Sequence, residues 1–449
     1  MYGLAKQARC LTLVSAFGLM LGGCAHLDRA TLLEHTQRDL ALSHPASLTD
    51  TSSDINPLLA RPLDRAAAER LMLLHSPALR ALIRQAEADI AQSAASGRPA
   101  NPVLGFTRLT GPEVEIERAL SIGLFDLLTW PQRQRVSTAA QQQQQLQLSM
   151  TLLSELRAVR LAWVDAVAAQ QQLSYAEDVA ESAAIAGDLA DKMQKAGSIS
   201  ALDLARQRAF AAEAANRLTE ARLHTQQQRE RLIRQLGLND EQAASLALPE
   251  QLPDLPATAR SAEQINQRVK EQRLDVRLAR AALATAAAEQ SLSLPESYTR
   301  AELTLHAKRT GPERSQGWEL GVALPVFDTG ELTRQGMDAR TQAAALQLDA
   351  TLRRAGSSLR SQYGDYLTRF DIARRQRSTL LPLREQIAHE NLLRYNGMLI
   401  SVFELLDSAR EQINTVIDTI EAERRFWQAD AALESELLGA PTLSTGDQP

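Results

Sequence analysis

The sequence predicts a mainly α-helical protein with a small β part: long antiparallel coiled-coil helical hairpins plus four β-strands per chain. Three observations carry that expectation. Long stretches rich in Ala, Gln, Leu, Arg and Glu run without proline, as helices do. Two short blocks switch to strict alternation of apolar and polar residues, the mark of half-buried strands. Similar residues recur in the same order about 200 residues apart, far beyond a solenoid period, so one unit is used twice. With 21 Gly and 17 Pro in 449 residues, a turn-rich all-β fold is disfavoured. The 44% hydrophobic content is that of a folded chain, but 4% aromatic is too little for a large aromatic core. A net charge of −5 gives no nucleic-acid footprint.

At the N-terminus, Lys6 and Arg9 precede an apolar stretch from Cys10 to Leu21. That stretch is shorter than the ~20 residues a transmembrane helix needs. It closes on Leu21-Gly22-Gly23-Cys24, where small residues admit a signal peptidase and the cysteine supplies a thiol for acylation. Residues 1–23 therefore read as a lipoprotein signal peptide and Cys24 as the lipid attachment; an ordinary signal peptide with a chance cysteine is the alternative. Ala25 follows instead of an Asp, which by resemblance to other lipoproteins points to the outer membrane. Cys10 leaves with the signal, so the mature chain holds one cysteine and no internal disulfide.

Residues 24–63 are a polar leader, with Pro45, Pro57 and Pro62. The first repeat spans 64–238: a helical stretch ending near Gly97-Arg98-Pro99, a β-hairpin at 102–127 and a long helical hairpin. A linker marked by Pro249, Pro253 and Pro256 occupies 239–260. The second repeat, 261–439, carries its β-hairpin at 298–327, and 440–449 is a tail. The repeat is visible where Leu79-Arg80 matches Val276-Arg277 and Leu124-Phe125-Asp126 resembles Val326-Phe327-Asp328. It is visible again where Glu220-Ala221 matches Glu421-Ala422 and Leu236-Gly237 matches Leu438-Gly439.

Thr299, Ala301, Leu303, Leu305 and Ala307 alternate with polar residues, and after Gly311-Pro312 so do Trp318, Leu320, Val322, Leu324 and Val326. In the first half, Val114, Ile116, Leu120, Ile122 and Leu124 share a face interrupted by Arg118, opposite a strand near 102–110. Glu115 and Glu117 lie on the other face, as a lumen wall would require. About ten residues is the length of a tilted membrane-crossing strand. Four strands cannot close a barrel, and open edges are not tolerated in lipid, so a membrane reading requires several chains to pool their strands. Three chains would give 12. A soluble sheet packed on helices alternates too and is the competing reading.

Pro131 fits a first helical position after Thr129 as a possible cap, and no proline follows up to Lys195. The second half runs from Glu331 to Tyr395, with a kink or break expected at Pro382. Leu348, Leu352, Ala355, Leu359, Tyr363, Tyr366 and Phe370 keep coiled-coil spacing, as do Leu406, Ala409, Ile413, Val416, Ile420 and Trp427. The run Gln141 to Gln145 reads as a solvated helix face. Each long helical pair turns at a glycine, Gly197 or Gly397, expected to end its helix in the left-handed region. Ser200 and Ser401 stand ready to cap the next helix, with Asp203 or Glu404 three residues on.

On these features the sequence resembles the TolC-like outer-membrane efflux proteins (outer membrane factor lipoproteins). The resemblance rests on the duplicated unit, the lipobox, the Phe-Asp junction and the turns Gly197-Ser198-Ile199-Ser200 and Gly397-Met398-Leu399-Ile400-Ser401, and covers about 64–439. It implies a homotrimer that pools four strands per chain into a 12-stranded outer-membrane barrel, continued by a helical tunnel through the periplasm. It implies a duct of a tripartite efflux or export system, passing small molecules such as drugs or metal ions from an inner-membrane pump. Gly197 and Gly397 would sit at the periplasmic entrance turns that meet a periplasmic adaptor protein. Glu404 and Asp407 match acidic positions that ring the entrance in some members. Arg206 stands where the second half has Asp407, so a filter would come from the second half alone. The second turn has one more residue between its glycine and its acid than the first.

Enzyme chemistry is not expected. There is no HExxH, GxSxG or Walker motif, and His26, His35 and His44 lie in the polar leader without clear ligand spacing. Neither a cofactor nor a metal is expected. The alternative function is a periplasmic coiled-coil lipoprotein acting as adaptor or scaffold.

Overall fold

The computed structural model describes residues 29–40, 56–261, 273–296, 301–324, 326–327 and 329–440. The signal peptide and Cys24, His26, His44, Pro45, the strand start at Thr299, Asp328 of the second Phe-Asp junction and the tail beyond Ala440 lie outside them.

The first half opens with α1 (Arg29–Asp39), α2 (Asn56–Leu59), α3 (Arg65–His75) and α4 (Pro77–Ser96). Strands β1 (Val103–Thr110) and β2 (Val114–Gly123) follow. Then come α5 (Leu124–Leu128), α6 (Trp130–Lys195) and α7 (Ala201–Leu236), with α8 (Asp240–Ser245) between the halves. The second half holds α9 (Leu274–Glu296), β3 (Ala301–Thr310), β4 (Glu313–Val322), α10 (Glu331–Arg375), α11 (Leu381–Asn396) and α12 (Val402–Leu438). At 66 residues α6 is about 100 Å long.

Several local details differ from the sequence expectation. The helix read over 64–97 breaks at Ser76, because Pro77 disfavours a helical residue before it; Ser76 instead accepts a 3.4 Å hydrogen bond from the Leu79 amide and starts α4. Strand β2 ends at Gly123, so Leu124-Phe125-Asp126 forms a helical turn. Thr129 closes that turn, its hydroxyl donating to Phe125 O at 2.7 Å, and so does not cap α6. The glutamine run is not fully solvated: only Gln142 is exposed, because α1 lies beside Gln141 and Gln145 and α9 beside Gln143.

At Pro382 the helix widens instead of breaking. Residues Gln376–Leu380 form a π-turn in which the Leu381 amide donates to Gln376 O. Proline removes one amide and crowds the preceding turn, and a wider turn relieves both.

The four strands make one antiparallel sheet in the order β1-β2-β3-β4. The halves meet at β2 and β3, where the Ser121 and Thr304 hydroxyls bond at 2.9 Å. The main core lies around the middle of α6. Leu152, Leu156, Val159 and Trp163 of α6 pack with Leu71, Met72, Ile83, Leu232 and Leu236, and Trp163 Nε1–H donates to Leu63 O at 2.7 Å. A second cluster packs the coiled-coil stripe of α10 on α12, through Leu359, Tyr366, Phe370, Phe426 and Leu433. That stripe loses its cover toward the sheet, where Leu352 is exposed.

Both halves close their hairpins alike. Gly237 and Gly439, each left-handed, end α7 and α12. A Cβ at Gly237 would stand 2.6 Å from Pro77 Cδ, and one at Gly439 2.6 Å from Asp275 Oδ1. Each helix end thus abuts the start of a helix at an equivalent place in its own repeat. The region between the halves is not a free linker: Leu246 and Leu252 are buried, and Asn239 and Gln242 form a reciprocal capping box.

Candidate functional site

Two places on the molecule combine exposure with ordered charge: the sheet and the hairpin tips. The strand register sorts the sheet into two faces. On one, Leu104, Phe106, Leu120, Ile122, Leu303, Leu305, Trp318, Leu320 and Val322 align across the strands. Several are largely exposed: Leu104 at 76% and Trp318 at 72%. A soluble sheet would bury such a face, and a contiguous apolar surface of this size marks a membrane or a partner. The other face carries Glu115, Glu117, Glu302, Glu313 and Glu319 among Ala, Ser, Thr and Gly, with Val103 and Leu109 of β1 as exceptions. Here Lys308 Nζ lies 2.5 Å from Glu115, and His306 bridges Glu117 at 3.0 Å and Glu319 at 3.1 Å. Glu115 and Glu117 thus share a face, as their spacing predicts.

At the far end of the helices, the two turns are superimposable in their hydrogen bonding. In the first, the Gly197 amide donates to Gln194 O at 2.9 Å and the Ser198 amide to Met193 O at 2.8 Å, with Gly197 at φ +75°. In the second, the Met398 amide donates to Tyr395 O and the Leu399 amide to Arg394 O, both at 2.9 Å. Both are Schellman endings. The left-handed residue of the second is Met398, φ +60°, and Gly397 is right-handed at φ −81°. The expectation for Gly197 therefore holds and that for Gly397 does not. The serine cap follows the left-handed position at the third residue in both turns. That distance places Met398 opposite Gly197 and absorbs the apparent extra residue.

Ser200 and Ser401 cap as expected, each accepting a 3.2 Å bond from the amide three residues on, Asp203 or Glu404. Glu404 and Asp407 lie one helical turn apart on the exposed side of α12, in a stripe continued by Glu411 and Asp418. Asp407 contacts Arg410 at 3.3 Å, and the Arg410 guanidinium stacks 4.4 Å above the Phe210 ring of α7. Phe210 and Arg410 sit at similar distances from the starts of α7 and α12, so both hairpin tips point to the same end. Arg206 turns back to Asp203 at 3.7 Å. Sequence reasoning missed Arg410; its signal was an arginine one turn after an exposed acid.

Between these ends a charge network ties α3, α6 and α12 together. Arg160 contacts Glu69 at 2.6 Å and Glu434 at 3.1 Å, and Arg260 contacts Asp430 at 2.9 Å and Glu434 at 2.7 Å. Burial raises the Asp430 carboxyl. Burial works the same way on Glu434, but Arg65, Arg260 and Arg160 outweigh it and hold that carboxyl below its ordinary value.

Among the described residues no group of three or more His, Cys, Asp or Glu side chains is arranged to hold a metal. No described helix is long and apolar enough to cross a membrane.

No protein-family model matches the chain, and no curated protein matches it. Solved structures do. A membrane protein from Pseudomonas aeruginosa aligns at TM-score 0.70 and 20% identity, over 83% of this chain and 93% of its own. The outer-membrane channel OprN aligns at 0.69 and 17%, over 88% and 95%. The chain has the fold of the TolC-like outer-membrane channels. The outer-membrane protein VceC from Vibrio cholerae aligns likewise, at 0.68 and 17% over 84% and 96%. The sheet precedes the start of α6 and the first hairpin tip follows its end, so that helix, about 100 Å long, separates the two places.

Proposed function

We propose that this chain is the outer-membrane duct of a tripartite efflux or export system, working as a homotrimer. The observation that carries the reading is the sorting of the sheet. One face is apolar over its part nearer the helices and largely exposed, the other acidic and small, and strands β1 and β4 each leave an open edge. Three copies pairing edge to edge satisfy every backbone group and give a 12-stranded barrel with lipid outside and water inside. The long helices then continue the wall into the periplasm.

Cys24 carries the lipid anchor in this reading. Helix α1 supports it: Thr31 lies near Thr138 of α6, the side of the molecule that leads to the sheet, while Asp39 lies further along, at Ser149. From Arg29, where α1 begins, an extended chain to Cys24 reaches at most ~18 Å, enough to meet the membrane at the foot of the barrel. The turns at Gly197 and Gly397 form the entrance that a periplasmic adaptor of an inner-membrane pump engages. Glu404 and Asp407 from three copies make an acidic ring there. The role is passive conduction of small molecules, not catalysis. An adaptor or scaffold role would leave the apolar sheet face without purpose.

The test is conductance. Purified protein added to planar bilayers is expected to give discrete channels from one side only. A protein that folds, binds membranes solely through its acyl chain and never conducts would overturn the reading.

A further inference from the structure

The outward sheet face is apolar only over part of its height. Toward the hairpin turns, Arg108, Arg309 and Arg314 stand in one lateral row across β1, β3 and β4, with Ile116 of β2 between them. Arg118 lies in the next row, nearer the helices. All four are exposed, and no acid shares their face, because every glutamate of the four strands points the other way. The single lysine of the strands, Lys308, also points the other way and is paired with Glu115. Among the described residues, the only hydrogen bond made by these four guanidinium groups is that of Arg309 Nε–H to Gly311 O at 3.1 Å.

This sorting is not what solubility requires. A water-exposed rim accepts lysine and arginine alike and mixes in acids. A face touching lipid tolerates arginine at the interface, at ~0–1 kcal/mol, far better than at the bilayer centre. The strands run from the helices through the apolar rows and turn at 111–113 and 311–312, so in the duct reading the arginine row falls at the level of the outer-leaflet headgroups. Guanidinium forks bind phosphate through two parallel bonds, which an ammonium cannot do.

Resting on the duct reading, we infer that this arginine belt binds the phosphate groups of lipid headgroups in the outer leaflet, four arginines per chain around the barrel. The lipid required is one bearing phosphate on an acylated sugar or glycerol headgroup, and the belt fixes the depth of the barrel.

The test uses the full-chain trimer in nanodiscs of phosphatidylcholine doped with diphosphoryl lipid A, with retained lipid counted by native mass spectrometry. Wild type is expected to enrich the phosphorylated lipid, and the combined R108Q, R309Q and R314Q variant to lose that enrichment about tenfold, the scale of one charge-assisted contact. Lys308→Gln, on the other face, should retain it. Should the triple variant not assemble, R309K with R314K keeps the charge and removes the forks, and a several-fold loss is again expected. Equal retention by whichever variant assembles overturns the inference. So does displacement of the lipid by inorganic phosphate at equal phosphate concentration, which would mark a site for the free anion. Conductance from the same preparation separates the two claims: a conducting trimer indifferent to lipid phosphate sinks only the belt, and a protein that never inserts sinks the duct.

Discussion

Met398 occupies, in the second helical hairpin, the left-handed backbone position that Gly197 holds in the first. The glycine of the second turn stands one residue earlier, at a right-handed position open to any residue. A non-glycine residue in the left-handed region costs roughly 1–2 kcal/mol. Met398→Gly is therefore expected to raise the thermal stability of the protein by about 1 kcal/mol. Gly197→Ala should lower it by a similar amount. Nothing lies within 4 Å of a Cβ built at Gly197, so its cost would be backbone strain alone. Thermal unfolding followed by circular dichroism checks both; a destabilised Met398→Gly would show that the methionine side chain holds the turn.

The acids of α12 offer a second measurement. Replacing Glu404 by Gln and Asp407 by Asn keeps size and leaves the Ser401 hydroxyl accepting from the amide of residue 404. If the acids ring an opening, cation preference and block by multivalent cations should disappear in planar bilayers while far-UV circular dichroism stays unchanged. If they are helix-terminal structure only, conductance matches wild type and stability falls by the ~0.3–1 kcal/mol of a helix-dipole contact. The Asp407 change also frees Arg410, so Asp407→Asn alone should shift the cation block more than Glu404→Gln alone if Arg410 moves toward the opening.

The charge network sets a pH dependence. Glu434 has its carboxyl held below the ordinary value in the folded chain. Its stabilising contribution is therefore complete above the unfolded value, about 4.3, and is lost as pH falls through the folded value. Glu434→Gln should lower the unfolding temperature at pH 7, by an amount corresponding to roughly 1–3 kcal/mol for a charge left without its partner. Near pH 3 variant and wild type should converge; an offset independent of pH would contradict the assignment.

The anchor is separable from the barrel. Cys24→Ala should abolish labelling by a fatty-acid probe yet leave a protein that only detergent extracts, because one acyl chain holds less firmly than a buried apolar face. Unchanged labelling would refute lipidation at Cys24.

Much of this was legible in the sequence because local rules carried it. Period-two alternation around Leu303 and Trp318 gave the strands, and the proline-free run to Lys195 gave the longest helix. Pro382 marked the widened π-turn. Other features depend on contacts distant in sequence. Glycine is the usual signal for a left-handed residue, but the spacing to the Ser401 cap fixes the turn, and that spacing selects Met398. The partial cover over Gln141 and Gln145 follows from α1 and that over Gln143 from α9, whose resting places no local pattern declares. The arginine row emerges only from the register, since Arg108, Arg309 and Arg314 come from three strands.

The central claim is that three copies pool their strands, and native mass spectrometry of the full chain in detergent tests it most directly. The expected result is a complex of three chains with no stable smaller species that retains the sheet. A well-behaved monomer with its full strand content would contradict the account.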